Sequence, residues 1–168
     1  MTAGWLIAAL ENGEVVALRG VDGFEVWRID VSGEISIRPS VGGHQLFVPV
    51  NDGRIVALDV ATGERIWETM LSGSPQDILP LDDLFVGSTD NFFYRLSKTD
   101  GRIRWRWRTG GDIIGLPAVD ERHVVFASLD NILRALDRNS GAQRWRRPLA
   151  GRPIGGPQAV DGIVFISG

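Results

Sequence analysis

Short apolar runs, rich in β-branched and aromatic residues, alternate along the chain with polar turns that carry glycine, asparagine or aspartate. Within several runs the apolar and polar positions alternate, which is typical of β-strands that bury one face. In residues 102–108 (RIRWRWR), Trp105 and Trp107 fall on one face and the four arginines on the other. The pattern therefore predicts an all-β fold made of short strands.

A set of markers recurs four times, at spacings of 40, 38 and 40 residues. The turn pairs are Asn12-Gly13, Asp52-Gly53, Asp90-Asn91 and Asp130-Asn131. Each pair is followed by a leucine, at Leu18, Leu58, Leu96 and Leu136. A glycine comes next, at Gly23, Gly63, Gly101 and Gly141, and then a tryptophan, at Trp27, Trp67, Trp105 and Trp145. A fixed period of this length indicates a repeat protein.

The markers predict four antiparallel strands per repeat, which make one blade of a β-propeller. The turn pair lies between two apolar runs and favours the positive φ angles of a type I′ hairpin turn. The repeated glycine marks a second turn, which leads to a strand with the tryptophan, and an apolar stretch before the hairpin supplies a fourth strand. In one repeat, strands are predicted at residues 35–41, 45–50, 54–59 and 64–69.

Applied to the whole chain, this pattern predicts three complete blades and partial blades at both ends, in one domain over residues 1–168. The repeats are approximately residues 1–30, 31–70, 71–108, 109–147 and 148–168, the last of them partial. The end strands are predicted at residues 5–10 and 163–167. Residues 131–139 alone have a helical pattern, but the equivalent segments are rich in β-branched and aromatic residues, so a strand is predicted there too.

The repeat resembles the tryptophan-docking repeat of the PQQ-like propeller family, which includes quinoproteins and BamB-type proteins and has the pattern AxDxxTGxxxW. The second copy matches it at Ala57, Asp59, Thr62, Gly63 and Trp67. The fourth copy keeps Asp137 but has Ser140 for the threonine, and the first and third copies have Arg19 and Ser97 for the aspartate. The resemblance implies that each tryptophan docks between neighbouring blades and that the full ring has seven or eight blades.

Tryptophan suits a docking role because an indole buries a large apolar area and needs one acceptor for its N–H. The alternative is that the four repeated tryptophans line a ligand site, but one per repeat at a constant offset favours the structural role. Trp107 has no equivalent in the other copies, and either burial at the outer rim or a surface contact remains open. The arginines beside it suit an outermost strand, since charge protects a sheet edge from unwanted pairing.

Composition and motifs exclude several kinds of chemistry. The formal net charge of −3 disfavours nucleic acid as a partner, and the lack of cysteine rules out disulfides, thiolate zinc sites and cysteine nucleophiles. His44 and His123 are predicted in loops or at strand entries, and the recurrent aspartates are predicted as turn formers. No nucleotide-binding, hydrolase or metal motif occurs. No apolar run is long enough to span a membrane, and no signal peptide is expected at residues 5–10.

Two functions follow from the resemblance. The first is a non-enzymatic scaffold of the BamB type in the periplasm or cell envelope, whose partners are other proteins or further blades of the same propeller. The alternative is a fragment of a PQQ-dependent alcohol or sugar dehydrogenase, which would bind PQQ with calcium. Since the family's catalytic and cofactor residues map to no position here, no catalytic residue, cofactor site or metal ligand is predicted.

The charge distribution favours a further possibility, the pairing of two copies into a homodimeric ring. Residues 1–84 carry 5 basic and 13 acidic side chains, whereas residues 85–168 carry 13 and 8. An acidic leading half would attract the basic trailing half of a second copy. Drift of composition between blades is the other explanation.

Overall fold

The structure is a computed structural model that describes residues 4–160 and 163–168. In this part of the chain there are seventeen β-strands and no helix. The chain divides into two compact units, Met1–Pro75 and Gln76–Gly168. All strand pairs with a described register are antiparallel, as the turn pattern predicts.

The first unit contains one three-stranded and one four-stranded sheet. The three-stranded sheet has β1 (Trp5–Ala9), β2 (Glu14–Arg19) and β3 (Glu25–Asp30), in this order. The four-stranded sheet has β4 (Ser40–Gly42), β5 (Gln45–Pro49), β6 (Arg54–Asp59) and β7 (Arg65–Met70). The inner faces form a core that includes Val15, Val48, Val56 and Leu58, and Trp27 of β3 belongs to it.

The second unit contains two four-stranded sheets and one two-stranded sheet. The first has β8 (Pro75–Pro80), β9 (Leu84–Ser88), β10 (Phe92–Leu96) and β11 (Ile103–Arg108). The next has β12 (Ile113–Val119), β13 (His123–Ser128), β14 (Ile132–Asp137) and β15 (Gln143–Pro148). The last has β16 (Gln158–Val160) and β17 (Ile163–Phe165). The stacked rings of Phe93 and Phe126, with centroids 4.3 Å apart, join the two larger sheets in one core.

The predicted blades are confirmed: three four-stranded antiparallel sheets, with smaller sheets before and after them. The prediction of a strand, despite the helical pattern of residues 131–139, is confirmed, since Ile132–Asp137 is a strand in the interior of its sheet. The strand with the alternating arginines is at the edge of its sheet, as predicted. Trp107 in this strand is half-buried against the phenylalanine cluster, which favours the rim interpretation over a free surface contact.

The predicted strand at residues 35–41 is wrong over most of its length, because β4 covers only Ser40–Gly42. Pro39 comes immediately before it and has no N–H to donate to a ladder. The backbone upstream bonds to hairpin turns instead, with the Ile35 N–H donating to the Glu11 carbonyl at 3.2 Å. The Glu34 carbonyl accepts from the Asn51 N–H at 2.9 Å. The end strands are also shorter than predicted, stopping at Ala9 and Phe165.

The type I′ prediction for the hairpin turns is also wrong. In each pair only the second residue has a positive φ, namely Gly13 (95°), Gly53 (105°), Asn91 (64°) and Asn131 (61°). The Gly13 N–H donates to the Leu10 carbonyl at 3.0 Å, which closes a turn one residue longer than the predicted one. The loop therefore has three residues and ends in the left-handed conformation, the arrangement of a type I turn with a bulge.

The turn aspartates organise polar networks that the repeat pattern did not predict. Asp130 accepts hydrogen bonds from Ser128 Oγ at 2.6 Å, from the guanidinium of Arg134 at 3.0 Å and from the Gly110 N–H at 3.0 Å. Burial acts to raise the pKa of Asp130, but these hydrogen bonds outweigh it and hold the pKa at about 2, below the ordinary 3.8. One repeat earlier, Tyr94 holds the position of Arg134. Burial and the Asp90 carboxylate raise the pKa of Tyr94 to about 12.

We expect the variant Asp130→Asn to lower the free energy of unfolding at neutral pH by about 2 kcal/mol, because the buried Arg134 loses its ionic partner. The folded-state pKa of Asp130 is below its unfolded value, so this stabilisation is present above the ordinary pKa of 3.8 and is lost as the pH falls towards about 2. Urea denaturation from pH 7 to pH 2 measures both effects. Glu121→Gln, at an exposed carboxyl, is the control, and equal losses in both variants would contradict the prediction.

Candidate interaction site

The four glycine turns between the third and fourth strands of the repeats share one backbone conformation. The φ angles of Gly23, Gly63, Gly101 and Gly141 lie between 71° and 73°. In every copy the glycine N–H donates to the carbonyl four residues earlier, at 2.8 or 2.9 Å. A left-handed φ of this size favours glycine, which explains why the position is glycine in all four copies.

The aspartates of the repeat pattern brace this turn but are not required for it. Asp59 Oδ1 accepts the N–H groups of Ala61 and Thr62 at 2.8 and 3.0 Å. Two repeats later, Asp137 Oδ1 accepts the N–H groups of Asn139 and Ser140 at 3.1 and 2.8 Å. A hydrogen bond from the guanidinium of Arg144 holds the pKa of the Asp137 carboxyl well below its usual range. The first copy, which has Arg19 instead, forms the same backbone turn.

Trp27 packs directly on the glycine turn of the next sheet. Its Nε1 donates to the Val60 carbonyl at 2.8 Å, and only 9% of the residue's surface is exposed. The indole lies so close to the turn that a methyl group on Gly63 would be 2.7 Å from Cδ2 of Trp27. The absence of a side chain at Gly63 therefore gives the indole its space, in addition to permitting the positive φ.

Trp105 makes the same contact in the second unit. Its Nε1 donates to the Arg138 carbonyl at 3.1 Å, and a methyl group on Gly141 would be 2.8 Å from its Cδ2. Arg95 donates to the same carbonyl at 2.7 Å and pairs with Asp83 at 2.7 Å. The structure thus brings together two of the predicted tryptophans with two of the predicted glycines in one recurring geometry.

The other two tryptophans of the repeat differ from each other in exposure. Trp67 is half-buried, with its ring centroid 5.8 Å from that of Phe47. Trp145, on an edge strand whose residues are all exposed, has 39% of its own surface exposed. At Gly23 an added methyl group would meet no atom within 4 Å, although the turn has the same conformation as at Gly63. This turn is therefore open to solvent.

An apolar pocket of about 400 Å³ opens beside the Gly23 turn. It is lined by Gly4, Trp5, Arg19, Phe24, Glu25 and Val26. Phe24 is 64% exposed, and the guanidinium of Arg19 lies over its ring at 5.3 Å from the centroid. Sequence reasoning missed this pocket. A signal was present, because Phe24 stands where the other copies have Glu64, Arg102 and Ala142.

The two histidines lie in the kinds of position that the sequence predicts, a turn and a strand entry. His44 lies in the turn before β5, and His123 begins β13 with its Nδ1 3.2 Å from Asp120 Oδ2. Within residues 4–160 and 163–168, no three histidine, aspartate or glutamate side chains gather in a way that could hold a metal ion. The same residues contain no helix with the length and apolar character needed to cross a membrane.

Comparison with solved structures supports the blade architecture. The crystal structure of BamB from Moraxella catarrhalis superposes on 99% of this chain, covering 56% of that protein, with a TM-score of 0.84 and 23% identity. The computationally designed Ika8 protein superposes on 99% of the chain and 53% of its own length, with a TM-score of 0.85 and 15% identity. At these identities the likeness shows the fold, which is a β-propeller segment.

Curated relatives match at the level of sequence. The outer membrane protein assembly factor BamB of Kangiella koreensis is 31% identical over 127 residues, which is 73% of this chain and 32% of the relative. The factor of the same name from Nitrosomonas eutropha is 28% identical over 108 residues, which is 63% of this chain and 26% of the relative. The chain thus matches about a quarter to a third of the length of these relatives.

The match to a whole family is wider than any of these single alignments. The family described as "Outer membrane protein assembly factor BamB" matches residues 1–81 and 71–166, and the two matches together cover all four copies of the repeated markers. The chain therefore belongs to the family of the outer membrane protein assembly factor BamB, and its repeats are PQQ-like propeller blades.

Proposed function

We propose that this chain is a non-enzymatic scaffold for protein–protein interactions that takes part in the assembly of outer membrane proteins. The observation that carries the proposal is the family match over residues 1–81 and 71–166. The curated relatives are named as outer membrane protein assembly factors. The proposed partners are other proteins of this process or further blades of the same propeller, and the proposed location is the cell envelope, on its periplasmic side.

We further propose that the repeated tryptophans, glycines and aspartates have a structural role in holding blades together. The contacts of Trp27 with Gly63 and of Trp105 with Gly141 support this role, since each buries an indole and satisfies its N–H. Asp59 and Asp137 support it by bracing the turns that receive an indole. A larger ring of seven or eight blades around residues 1–168 remains a prediction.

Deletion of the gene for this protein in its own host tests the assembly function. We expect the amounts of several outer membrane proteins in the envelope to fall, and a plasmid copy of the gene to restore them. A matched strain that lacks an unrelated envelope protein controls for general stress. Unchanged outer membrane protein levels in the deletion strain would contradict the proposal.

The dehydrogenase alternative has its own direct test. We expect titration of the purified chain with PQQ and calcium to leave its tryptophan fluorescence unchanged, apart from the inner-filter effect measured on free tryptophan. We also expect no dye-linked oxidation of alcohols or sugars above a heat-denatured control. Saturable binding of PQQ together with turnover would overturn the scaffold proposal and establish the alternative.

A further inference from the structure

The strand β11 presents a row of arginines at the outer edge of its sheet. Arg104, Arg106 and Arg108 are exposed, and they alternate with Trp105 and Trp107, which are half-buried. Both tryptophans pack against the phenylalanine cluster, so one face of the strand is fixed while the arginine side chains remain exposed. Complete four-stranded sheets precede and follow this sheet along the chain.

The three arginines have no acidic partner in the part of the chain that the structure describes. The ion pairs of the second unit engage other arginines, namely Arg95, Arg102, Arg134, Arg138 and Arg144. The guanidinium of Arg106 lies over the ring of Phe92, at 4.9 Å from the centroid, and near the Tyr94 hydroxyl. Because a guanidinium binds a carboxylate through two parallel hydrogen bonds, a row of exposed, unpaired arginines suits acidic side chains.

The outer strands of the other repeats do not share this row. The equivalent residues are Val26, Arg28 and Asp30 in β3, Ile66, Glu68 and Met70 in β7, and Arg144, Arg146 and Pro148 in β15. In β3 the arginine is paired, with Glu25 at 2.8 Å. In β15 Arg144 is paired with Asp137 at 2.6 Å, and the proline has no N–H to donate. Of the four outer strands that the structure describes, only β11 has three unpaired arginines in this row.

The backbone edge of β11 is open as well, since no strand of the described residues pairs with its outer side. The Thr109 N–H donates to the Asn91 carbonyl at 2.8 Å, at the end of the ladder between β10 and β11. Hydrogen-bonded pairs alternate along an antiparallel ladder, so the backbone groups of Trp107 point towards β10. The N–H and carbonyl groups of Arg106 and Arg108 therefore point outward, away from the sheet.

We propose that β11 binds an extended acidic segment of a partner protein, which adds to the sheet as an antiparallel fifth strand. Backbone hydrogen bonds to an open edge give such an added strand its affinity, and side chains select the partner. In antiparallel pairing, the residues opposite Arg106 and Arg108 lie on the arginine face, where glutamate or aspartate pairs with them. The proposal concerns a binding surface and does not depend on a role in outer membrane assembly.

Charge decides which segments this edge accepts. Like charges directly opposite each other destabilise a strand pair, so the arginines keep out basic segments and a second copy of β11. An acidic segment meets attraction instead, and β11 lies in the half of the chain that carries 13 basic and 8 acidic residues. An anionic membrane surface would satisfy the arginines but not the outward backbone groups, which favours a protein partner.

Binding of a labelled heptapeptide of alternating glutamate and valine tests the proposal. We expect saturable binding, measured by fluorescence anisotropy, that weakens as salt screens the opposite charges. N-methylation of the glutamates blocks the N–H groups that face Arg106 and Arg108, whereas N-methylation of the valines blocks groups that point away. We expect the first peptide to bind at least about tenfold more weakly than the parent peptide and the second to bind as the parent peptide does.

Charge reversal in the protein identifies the binding surface. The double variant Arg106→Glu, Arg108→Glu is expected to weaken binding of the parent peptide by at least about tenfold. The control is the double variant Arg122→Glu, Arg152→Glu, which makes the same change in net charge at exposed arginines outside β11. The control is expected to bind nearly as the parent chain does. Thermal melting verifies that each variant is folded.

Several outcomes would overturn the proposal. They are the absence of peptide binding, equal weakening in the two double variants, and equal binding of the two methylated peptides. Flotation of the chain with phosphatidylglycerol vesicles, without binding of the peptide, would assign the arginines to an anionic lipid surface instead. None of these outcomes bears on the assembly of the outer membrane, which the gene deletion tests separately.

Discussion

Replacing Trp27 by alanine is expected to lower the free energy of unfolding by about 3–5 kcal/mol. The indole is 9% exposed, belongs to the core of its unit and donates its N–H to the Val60 carbonyl at 2.8 Å. The variant loses the buried apolar area, leaves a cavity against Gly63 and frees a carbonyl that has no other described donor. Urea denaturation measures the loss as a lower midpoint at an unchanged slope.

Two variants separate the causes of this loss. Trp27→Phe keeps an aromatic ring but has no N–H, so a smaller loss is expected, of which about 1 kcal/mol belongs to the hydrogen bond. Trp145→Ala removes the equivalent but more exposed indole and is expected to change stability by about 0.5 kcal/mol or less. Similar losses from Trp27→Ala and Trp145→Ala would show that the contact on Gly63 does not stabilise the protein.

Replacing Gly63 by alanine is the second variant with a large expected effect, a loss of about 2–4 kcal/mol from a left-handed alanine and an overpacked contact together. The added methyl group would be 2.7 Å from Cδ2 of Trp27, so the indole or the turn must move. The Trp27 N–H bond to Val60 is expected to weaken as the ring shifts. Stability is again read from urea denaturation, and the ring's surroundings are read from its fluorescence.

The chain contains its own control for the backbone part of this effect. Gly23 has a φ of 72° and Gly63 one of 73°, but a methyl group on Gly23 meets nothing within 4 Å. Gly23→Ala is therefore expected to cost only the conformational penalty of about 1–2 kcal/mol. The difference between the two variants isolates the contact with the indole. If Gly63→Ala were no more destabilising than Gly23→Ala, the close contact between Trp27 and Gly63 would not contribute to the stability of the protein.

Local chemistry made much of this fold predictable. The strand Ile132–Asp137 was predicted against its own helical pattern, because three equivalent segments have strand-forming residues. The hairpins were predicted at the right places, since asparagine, aspartate and glycine supply the left-handed residue that such turns need. The type of turn was wrong, because the pair alone does not decide whether one or two residues have a positive φ.

Other features depend on residues that are distant in sequence. The segment at residues 35–39 has the composition of a strand, but its backbone bonds to the turns at Glu11 and Asn51. The network of Asp130 includes Gly110, twenty residues away, which no spacing rule connects to it. The apolar pocket at Phe24 lies beside a turn that no indole covers, whereas Trp27 and Trp105 cover the equivalent turns at Gly63 and Gly141.

By itself, the sequence determined the period, the strands of each blade and the positions of the repeated tryptophans and glycines, because strand alternation and turn conformation depend on near neighbours. Only the tertiary structure decided which indole meets which turn. Trp27 is buried on Gly63, whereas Trp145 remains half-exposed and the Gly23 turn remains open, although the local sequences of the copies are alike. The physical reason is that burial of an indole requires a second sheet to lie against it, and the residues of one repeat do not specify that neighbour.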